Sequence, residues 1–517
     1  MNIFSQIQTK RPKKNKFDLS HEKKMSLKMG YLIPIMCQEI IPGDSFKVNS
    51  EIMIRLSPMI APIMHRVNVW THYFFVPNRL IWTEWEDFIT GGKDGTLTPS
   101  FPQFAINASV LPQFNDKTLA DYLGLPTITT ENANEFISAL PFRAYTEIFN
   151  EYYRDQNLSN PIAFSKSSGI QLDADFLLHK LQLRAWEKDY FTSALPWTQR
   201  GPEVTLPIEV VVDQIRLKDT SHHLSAGTPT APKSVQYTTQ GGFNQFEGQL
   251  SAPDYDDTGN SNPAELYGEG TNSTINDLRR SVRLQEWLEK NARGGARYIE
   301  QLLSHFGSAP KDERLQRPEY LGGGKQPVII SEVLNTAGSN TIDLEPVGQM
   351  SGHGISVGKT NGFQRNFDEH GYVIGIMSVL PNTAYFQGIP KHFSRKDKLD
   401  FAWPEFGNLG EQSILNKELY FTGAETDKDL TFGYTPRYSE YKYGISTVHG
   451  EFKNNLDFWH WARKFANQPA LNETFIQADV DKRVFAVTDP DTDDLYCQIY
   501  NSISAIRALP YFGTPTL

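Results

Sequence analysis

The chain has 517 residues, of which 39% are hydrophobic and 21% charged, with a net charge of -10; this is enough apolar material for a packed core and excludes bulk disorder. Only Cys37 and Cys497 are present, which excludes a disulfide framework. No window reaches the roughly 18 consecutive apolar residues of a membrane helix, and the basic N-terminus lacks the apolar stretch of a secretory leader, so neither membrane insertion nor export by that route is expected.

The charge is uneven along the chain. Residues 1–30 carry Lys10, Arg11, Lys13, Lys14, Lys16, Lys23, Lys24 and Lys28 against Asp18 and Glu22, a balance of +6 that leaves -16 on the other 487 residues. Clustered cations release condensed counterions when they neutralise phosphates. The segment therefore reads as a polyanion-binding arm, with Lys10, Arg11, Lys13, Lys14, Lys16, Lys23 and Lys24 as candidate nucleic-acid contacts. A solvated terminus or a localisation patch is the plainer alternative.

Beyond the arm, partial period-two patterns predict strands over 48–56 and 67–76. Runs rich in Val, Ile, Tyr and Phe predict more over 208–212, 328–333, 372–380 and 498–507. Helical patterns cover 81–89, 142–153, 181–190 and 275–306, the last broken at Gly294 and Gly295. Strands so far apart, with helices in the connections, do not fit a βαβ repeat. They fit a mainly-β sandwich of the jelly-roll kind with long helix- and loop-containing insertions.

Residues 214–274 are dominated by Ser, Thr, Gly, Asn, Asp and Pro and cannot build much core. Structureless stretches of that length are usually functional or disordered. The segment reads as an exposed attachment loop, with His222, His223, Tyr237, Phe243, Phe246, Tyr255 and Tyr267 as candidate contacts. The domain reading is an arm over 1–30, a first part of the core over 31–213, the surface loop over 214–274, and a second part of the core over 275–517.

Strings that resemble catalytic motifs fail on spacing. Gly354 to Thr360 is one residue short of a phosphate loop and follows no buried strand, so a glycine-rich surface loop is expected. Asp489 to Asp494 alternates carboxylates like a calcium loop, but Asp494 stands where the tight turn needs Gly and Tyr500 where a bidentate Glu belongs. His21-Glu22 lacks the second zinc histidine. Arg279, Arg280 and Arg283 mark a solvated or subunit-contacting helix face, and Trp82, Trp85, Trp459 and Trp461 read as core or interface aromatics. No catalytic residue, metal or cofactor is assigned, and a non-enzymatic role is expected.

Longer strings are more specific. MSLKMGYLIPIMCQEIIPGDSF at 25–46 and RLSPMIAPIMHRVNVWTHYFFVPNRLIWTEWEDFITGG at 55–92 closely resemble the major capsid proteins of microviruses, particularly the gokushovirus branch. The likeness continues through 181–202, 281–307 and 313–336 and into the terminal ALPYFGTPTL. The resemblance implies an eight-stranded antiparallel jelly roll, a viral capsid β-sandwich, whose copies form a 60-subunit T=1 shell around circular single-stranded DNA. It implies that 214–274 projects as a host-attachment protrusion and that the basic arm faces inward. Implied partners are further copies of the chain, the viral DNA, an internal scaffolding protein, a small basic DNA-binding protein, a pilot protein and a bacterial surface receptor. The expected location is the virion, after assembly in the host bacterial cytoplasm. A carbohydrate-binding or carbohydrate-active β-sandwich is the alternative, with aromatic loops stacking on sugars and two carboxylates for acid/base work.

Overall fold

Alternation in Ser45–Leu56 sets the pattern of the molecule: Phe46, Val48, Ile52, Ile54 and Leu56 are buried, while Lys47, Asn49, Glu51 and Arg55 are exposed. A strand with this period buries one face and wets the other. In the computed structural model the described residues are 13–202, 204, 210–216, 225–226, 233–234, 265–270, 275–295, 297–307, 311–312, 314–334, 350–359, 362–424 and 426–511.

Eight long strands build two sheets: β1 (His21–Leu27), β2 (Ile33–Ile40), β3 (Ser45–Leu56), β4 (Val67–Pro77), β5 (Glu319–Pro327), β6 (Met350–Lys359), β7 (Gly371–Pro381) and β8 (Leu495–Arg507). All their pairings are antiparallel, and the spatial orders are β1-β8-β3-β6 and β2-β7-β4-β5. Sequence-consecutive strands thus cross repeatedly between sheets, as in the two Greek keys of a jelly roll. Short strands extend the first sheet: Asn15–Asp18 pairs with β8, Ile329–Leu334 with β6, and Phe363–Asn366 with β3.

Between the sheets, the inward rows of β3 and β8 meet Val67, Val69, Tyr73, Phe75, Val373, Met377 and Val379. One polar thread crosses this core. Ser50 and Asn501 face each other in the register of β3 and β8. The Tyr73 hydroxyl donates to Ser50 Oγ at 2.6 Å, Ser50 Oγ to Asn501 Oδ1 at 2.7 Å, and Asn501 Nδ2 to the Ile35 carbonyl at 3.2 Å. Because each member has a partner, the thread holds the sheets in register without leaving a buried dipole orphaned.

The other face of the second sheet is buried too. Phe74, Val76, Ile374 and Ile376 pack against Trp82, Phe104, Phe142, Tyr145 and Phe176 of the insertion that follows β4. Strands covered on both faces read as continuous apolar runs, as β4 and β7 do. Helix Leu140–Ile148, extended by a π turn over Phe149–Tyr153, supplies part of this roof. Its Arg143 is fully buried and donates to the Ile81 and Ser167 carbonyls, both at 3.1 Å. A third cluster joins Tyr190, Phe191 and Ala194 to Tyr385, Ile414, Phe432 and Phe475 of the insertion between β7 and β8.

Residues 199–293 form a separate compact unit. In it Val210–Arg216 pairs antiparallel with Glu265–Gly270. Helix Ile275–Gly294 ends where the sequence places the break, and Gly295 adopts φ +101°, a left-handed conformation suited to glycine.

Two expectations are corrected. Residues 181–190 are extended rather than helical: Leu32 donates to the Gln182 carbonyl, Arg184 to the Gly30 carbonyl, Trp186 to that of Ile476, and Ala478 to that of Arg184. Backbone pairing on both sides outweighs the weak local helical preference. The string Gly354 to Lys359 is not a surface loop but lies inside β6, and Thr360 falls outside the described residues. Gly352 and Gly354 face inward, where an added Cβ would lie 2.3 Å from the Ala61 carbonyl oxygen and 2.9 Å from the Leu56 side chain.

His179 lies in the roof with its side chain fully enclosed. Phe104, Phe142 and Phe164 surround it, and Nδ1 lies 2.7 Å from Thr146 Oγ1. Burial, aided by the Arg143 charge, lowers its pKa to about 3, even with the Asp175 carboxylate 4.0 Å away. As pH falls from about 6.5 toward that value, the unfolded chain binds a proton that the folded chain does not, so stability drops by up to about 1.4 kcal/mol per pH unit. Urea unfolding of the full chain should therefore show an acid limb that is shallower by about 1 kcal/mol per pH unit in His179→Gln. An unchanged slope would remove His179 as its source.

Candidate functional site

The outward face of the first sheet stays open, in contrast to the roofed second sheet. Tyr496, Tyr500 and Ile506 of β8, Val357 of β6, and Lys47, Asn49, Glu51 and Arg55 of β3 are exposed on it. The register places Tyr496 between Ser26 and Arg55, Gln498 between Lys24 and Met53, Tyr500 between Glu22 and Glu51, and Ser504 between Asp18 and Lys47. Lys24 lies 3.7 Å from Glu22, and Lys359 lies 2.6 Å from Glu51. Among the described residues Lys47 and Arg55 form no ion pair. Exposed tyrosines interleaved with uncommitted cations suit a single-stranded polyanion, since bases stack on aromatic faces while cations follow the phosphates.

The basic arm joins this face. Asn15–Asp18 and β1 are both built into the sheet, so residues 15–27 are not a free arm, as the composition of 1–30 suggests. Apolar side chains at Phe17, Leu19, Met25 and Leu27 account for this, with Phe17 stacked on Tyr511 at 5.8 Å. Lys10 and Arg11 lie outside the described residues. Lys13, Lys16 and Lys24 are exposed, and Lys14 reaches the Gly43 carbonyl.

Lys23 points the other way. Strand alternation turns it from the open face, and its Nζ donates to the Pro34 carbonyl at 3.1 Å and to the Tyr122 carbonyl. Burial pulls the ammonium down to about 8. This lysine is bound to the body of the protein and leaves the set of DNA candidates.

In the predicted attachment loop, His222, His223, Tyr237, Phe243, Phe246 and Tyr255 lie outside the described residues, and Tyr267 is in strand Glu265–Gly270, opposite Gln214. The acidic string forms a turn before β8: Asp489 accepts from the Asp491 N–H at 3.0 Å, and Asp494 pairs with Lys482 at 3.2 Å. Among the described residues no three His, Cys, Asp or Glu side chains gather as metal ligands. Burial pushes the thiols of Cys37 and Cys497 up to about 12, which leaves them poor nucleophiles.

Sequence reasoning missed Tyr496, Tyr500, Lys47 and Arg55. Alternation within the predicted strand was enough to set Arg55 outward, and Lys47 required the start of β3 at Ser45, three residues before the predicted one. Tyr500 lies within the predicted strand, where alternation sets it outward, whereas Tyr496 required the start of β8 at Leu495, three residues before the predicted one.

A family model described as "Capsid protein (F protein)" matches residues 5–517. The chain belongs to this phage capsid protein family. Among curated relatives it is 38% identical to capsid protein VP1 of Bdellovibrio phage phiMH2K, covering 99% of this chain and 97% of that one. It is 34% identical to capsid protein VP1 of Chlamydia phage 1 (100% and 98% covered) and 29% identical to capsid protein VP1 of Spiroplasma virus 4 (99% and 97%). Family membership explains a surface rich in presented side chains around a jelly roll. Such sandwiches leave faces and loops available to neighbouring copies.

Proposed function

We propose that this chain is the major capsid protein of a microvirus, a bacteriophage, and that its copies close into a 60-subunit T=1 icosahedral shell around circular single-stranded DNA. The end-to-end family match over residues 5–517 carries this reading, and the jelly-roll strand order supports it. The relatives named above are all capsid proteins, and none favours the carbohydrate-active alternative. The role is structural rather than enzymatic, and the chain resides in the virion after assembly in the bacterial cytoplasm.

In this reading the open face of the first sheet and the arm carrying Lys10, Arg11, Lys13, Lys14 and Lys16 face the genome. Each nucleotide brings one phosphate charge, far more than these arms supply, so a small basic DNA-binding protein shares the neutralisation. An internal scaffolding protein and a pilot protein complete the set of viral partners. The unit around 214–274 meets the bacterial surface receptor.

Three experiments test these assignments. Sedimentation and electron microscopy of the chain co-produced with its neighbouring viral proteins should give closed 60-subunit shells; a persistent monomer would overturn the capsid role. Alanine at Lys10, Arg11, Lys13, Lys14 and Lys16 should leave the fold intact and lower the slope of log affinity for single-stranded DNA against log salt, by about 0.7 for each phosphate no longer neutralised. An unchanged slope would place DNA binding elsewhere. Deleting 220–270 should spare shell assembly and abolish attachment to host cells, whereas failure to assemble would make the segment structural.

A further inference from the structure

The insertion between β7 and β8 leaves a hollow of about 590 Å³ whose lining includes Phe191, Tyr385, Phe393, Tyr441, Tyr443 and Ile445. Phe191 and Tyr385 are buried in the third apolar cluster and form its floor. Phe393, Tyr441 and Tyr443 are 73%, 51% and 64% exposed and form its rim. Apolar surface gathered in this way, rather than scattered, marks a place where another chain packs.

The charges around the hollow restrict what can enter. Lys391 lies 3.5 Å from Glu418, and Arg395 lies 3.4 Å from Glu440. Glu418 also accepts from the Tyr190 hydroxyl at 2.9 Å. Only Lys453 of this lining forms no ion pair or hydrogen bond among the described residues, histidines aside. A cationic segment such as 1–12, with Lys10 and Arg11, would meet a surface with no spare carboxylate. A nucleic-acid strand would bring one phosphate per nucleotide to a single free ammonium. The occupant that fits is apolar and uncharged.

Residues 512–517, FGTPTL, which lie outside the described residues, have that composition: Phe512, Pro515 and Leu517 with no charged side chain. Aromatic-lined grooves take proline readily, because its fixed φ lowers the cost of ordering the segment. The hollow of the same chain is out of reach. Arg507, at the end of β8, donates to the Glu39 carbonyl at 2.6 Å, and Glu39 stands opposite Tyr372 at the start of β7. The hollow begins past the other end of β7, eleven residues or about 33 Å away. Tyr511 stacks on Phe17, opposite Ala505, and so recovers only about 7 Å of that path. Six residues span at most about 21 Å, short of the remaining 26 Å or so.

We propose that segment 512–517 of a neighbouring copy lies in this hollow, with Pro515 and Leu517 against Phe393, Tyr441 and Tyr443. The inference rests on the reading of this chain as a shell-forming capsid protein. Each copy carries one hollow and one such segment, so a closed shell fills every hollow and ties each subunit to a neighbour.

A cysteine pair in the full-length chain, Tyr443→Cys with Thr516→Cys, tests this in material co-produced with the neighbouring viral proteins. Mild oxidation of the assembled shells should link chains into multimers on non-reducing gels, and either cysteine alone, with Cys37 and Cys497 still present, should not. Separately, Phe393→Ala with Tyr443→Ala should leave urea unfolding of the unassembled chain unchanged, since both side chains are exposed, and lower the urea concentration at which shells dissociate. Links only within single chains, or shells that form without any link, would overturn the proposal and leave the capsid role standing. If the cysteine pair blocks assembly, the alanine pair decides, and unchanged shell dissociation overturns the proposal. If the unaltered chain forms no shells, both readings fall.

Discussion

The arrangement depends on one sheet being buried on both faces. Sheet β2-β7-β4-β5 packs its inner face against the first sheet and its outer face under the insertion that follows β4. A sheet in that position has little room for charge, and β4 and β7 carry almost none. Several buried polar groups there are satisfied, as in the Ser50–Asn501–Tyr73 thread and the two carbonyls that receive Arg143, whereas Thr71 Oγ1 is buried without a hydrogen-bond partner. Roofing one sheet leaves the opposite surface of the sandwich uncovered, and on that surface the structure displays tyrosines and lysines.

Much of this was legible where local pattern and tertiary role agree. β3 alternates because one face is wet, and β4 and β7 are continuously apolar because neither is; both signals survive in a single sequence. β2 was not read as a strand, and β1, β5 and β6 were not legible. HEKKMSL is mostly polar, and EYLGGGKQP and MSGHGISVGK are rich in glycine, a poor strand former. Their extended state comes from partners: β5 lies along β4, β6 along β3, and β1 along β8. In β6 the glycines admit close neighbours, so a sequence that mimics a phosphate loop is a tightly packed strand.

The candidate surfaces divide in the same way. Excess positive charge near the N-terminus is a compositional fact and needed no structure. Its division is geometric: Lys24 and Lys23 are adjacent in sequence, yet alternation sends one to solvent and the other to two backbone carbonyls. The unusual composition of 214–274 also marked a distinct region, although the compact unit is wider, 199–293, because the start of strand Val210–Arg216 and most of the helix Ile275–Gly294 also belong to it. Asp493 was visible only as part of an acidic string. Its hydrogen-bond partner, Ser26, lies 467 positions away.

The last of the eight strands to be synthesised occupies the interior of its sheet. β8 lies between β1 and β3, and the short strand Asn15–Asp18 also leans on it. Until residues 495–507 arrive, β1 has no strand partner and β3 lacks its longest one, so the larger sheet stays split through most of translation. Any product terminated before that point lacks the keystone of its larger sheet. Placing the final strand at the centre thus works as proofreading for full length: a fragment cannot complete the larger sheet.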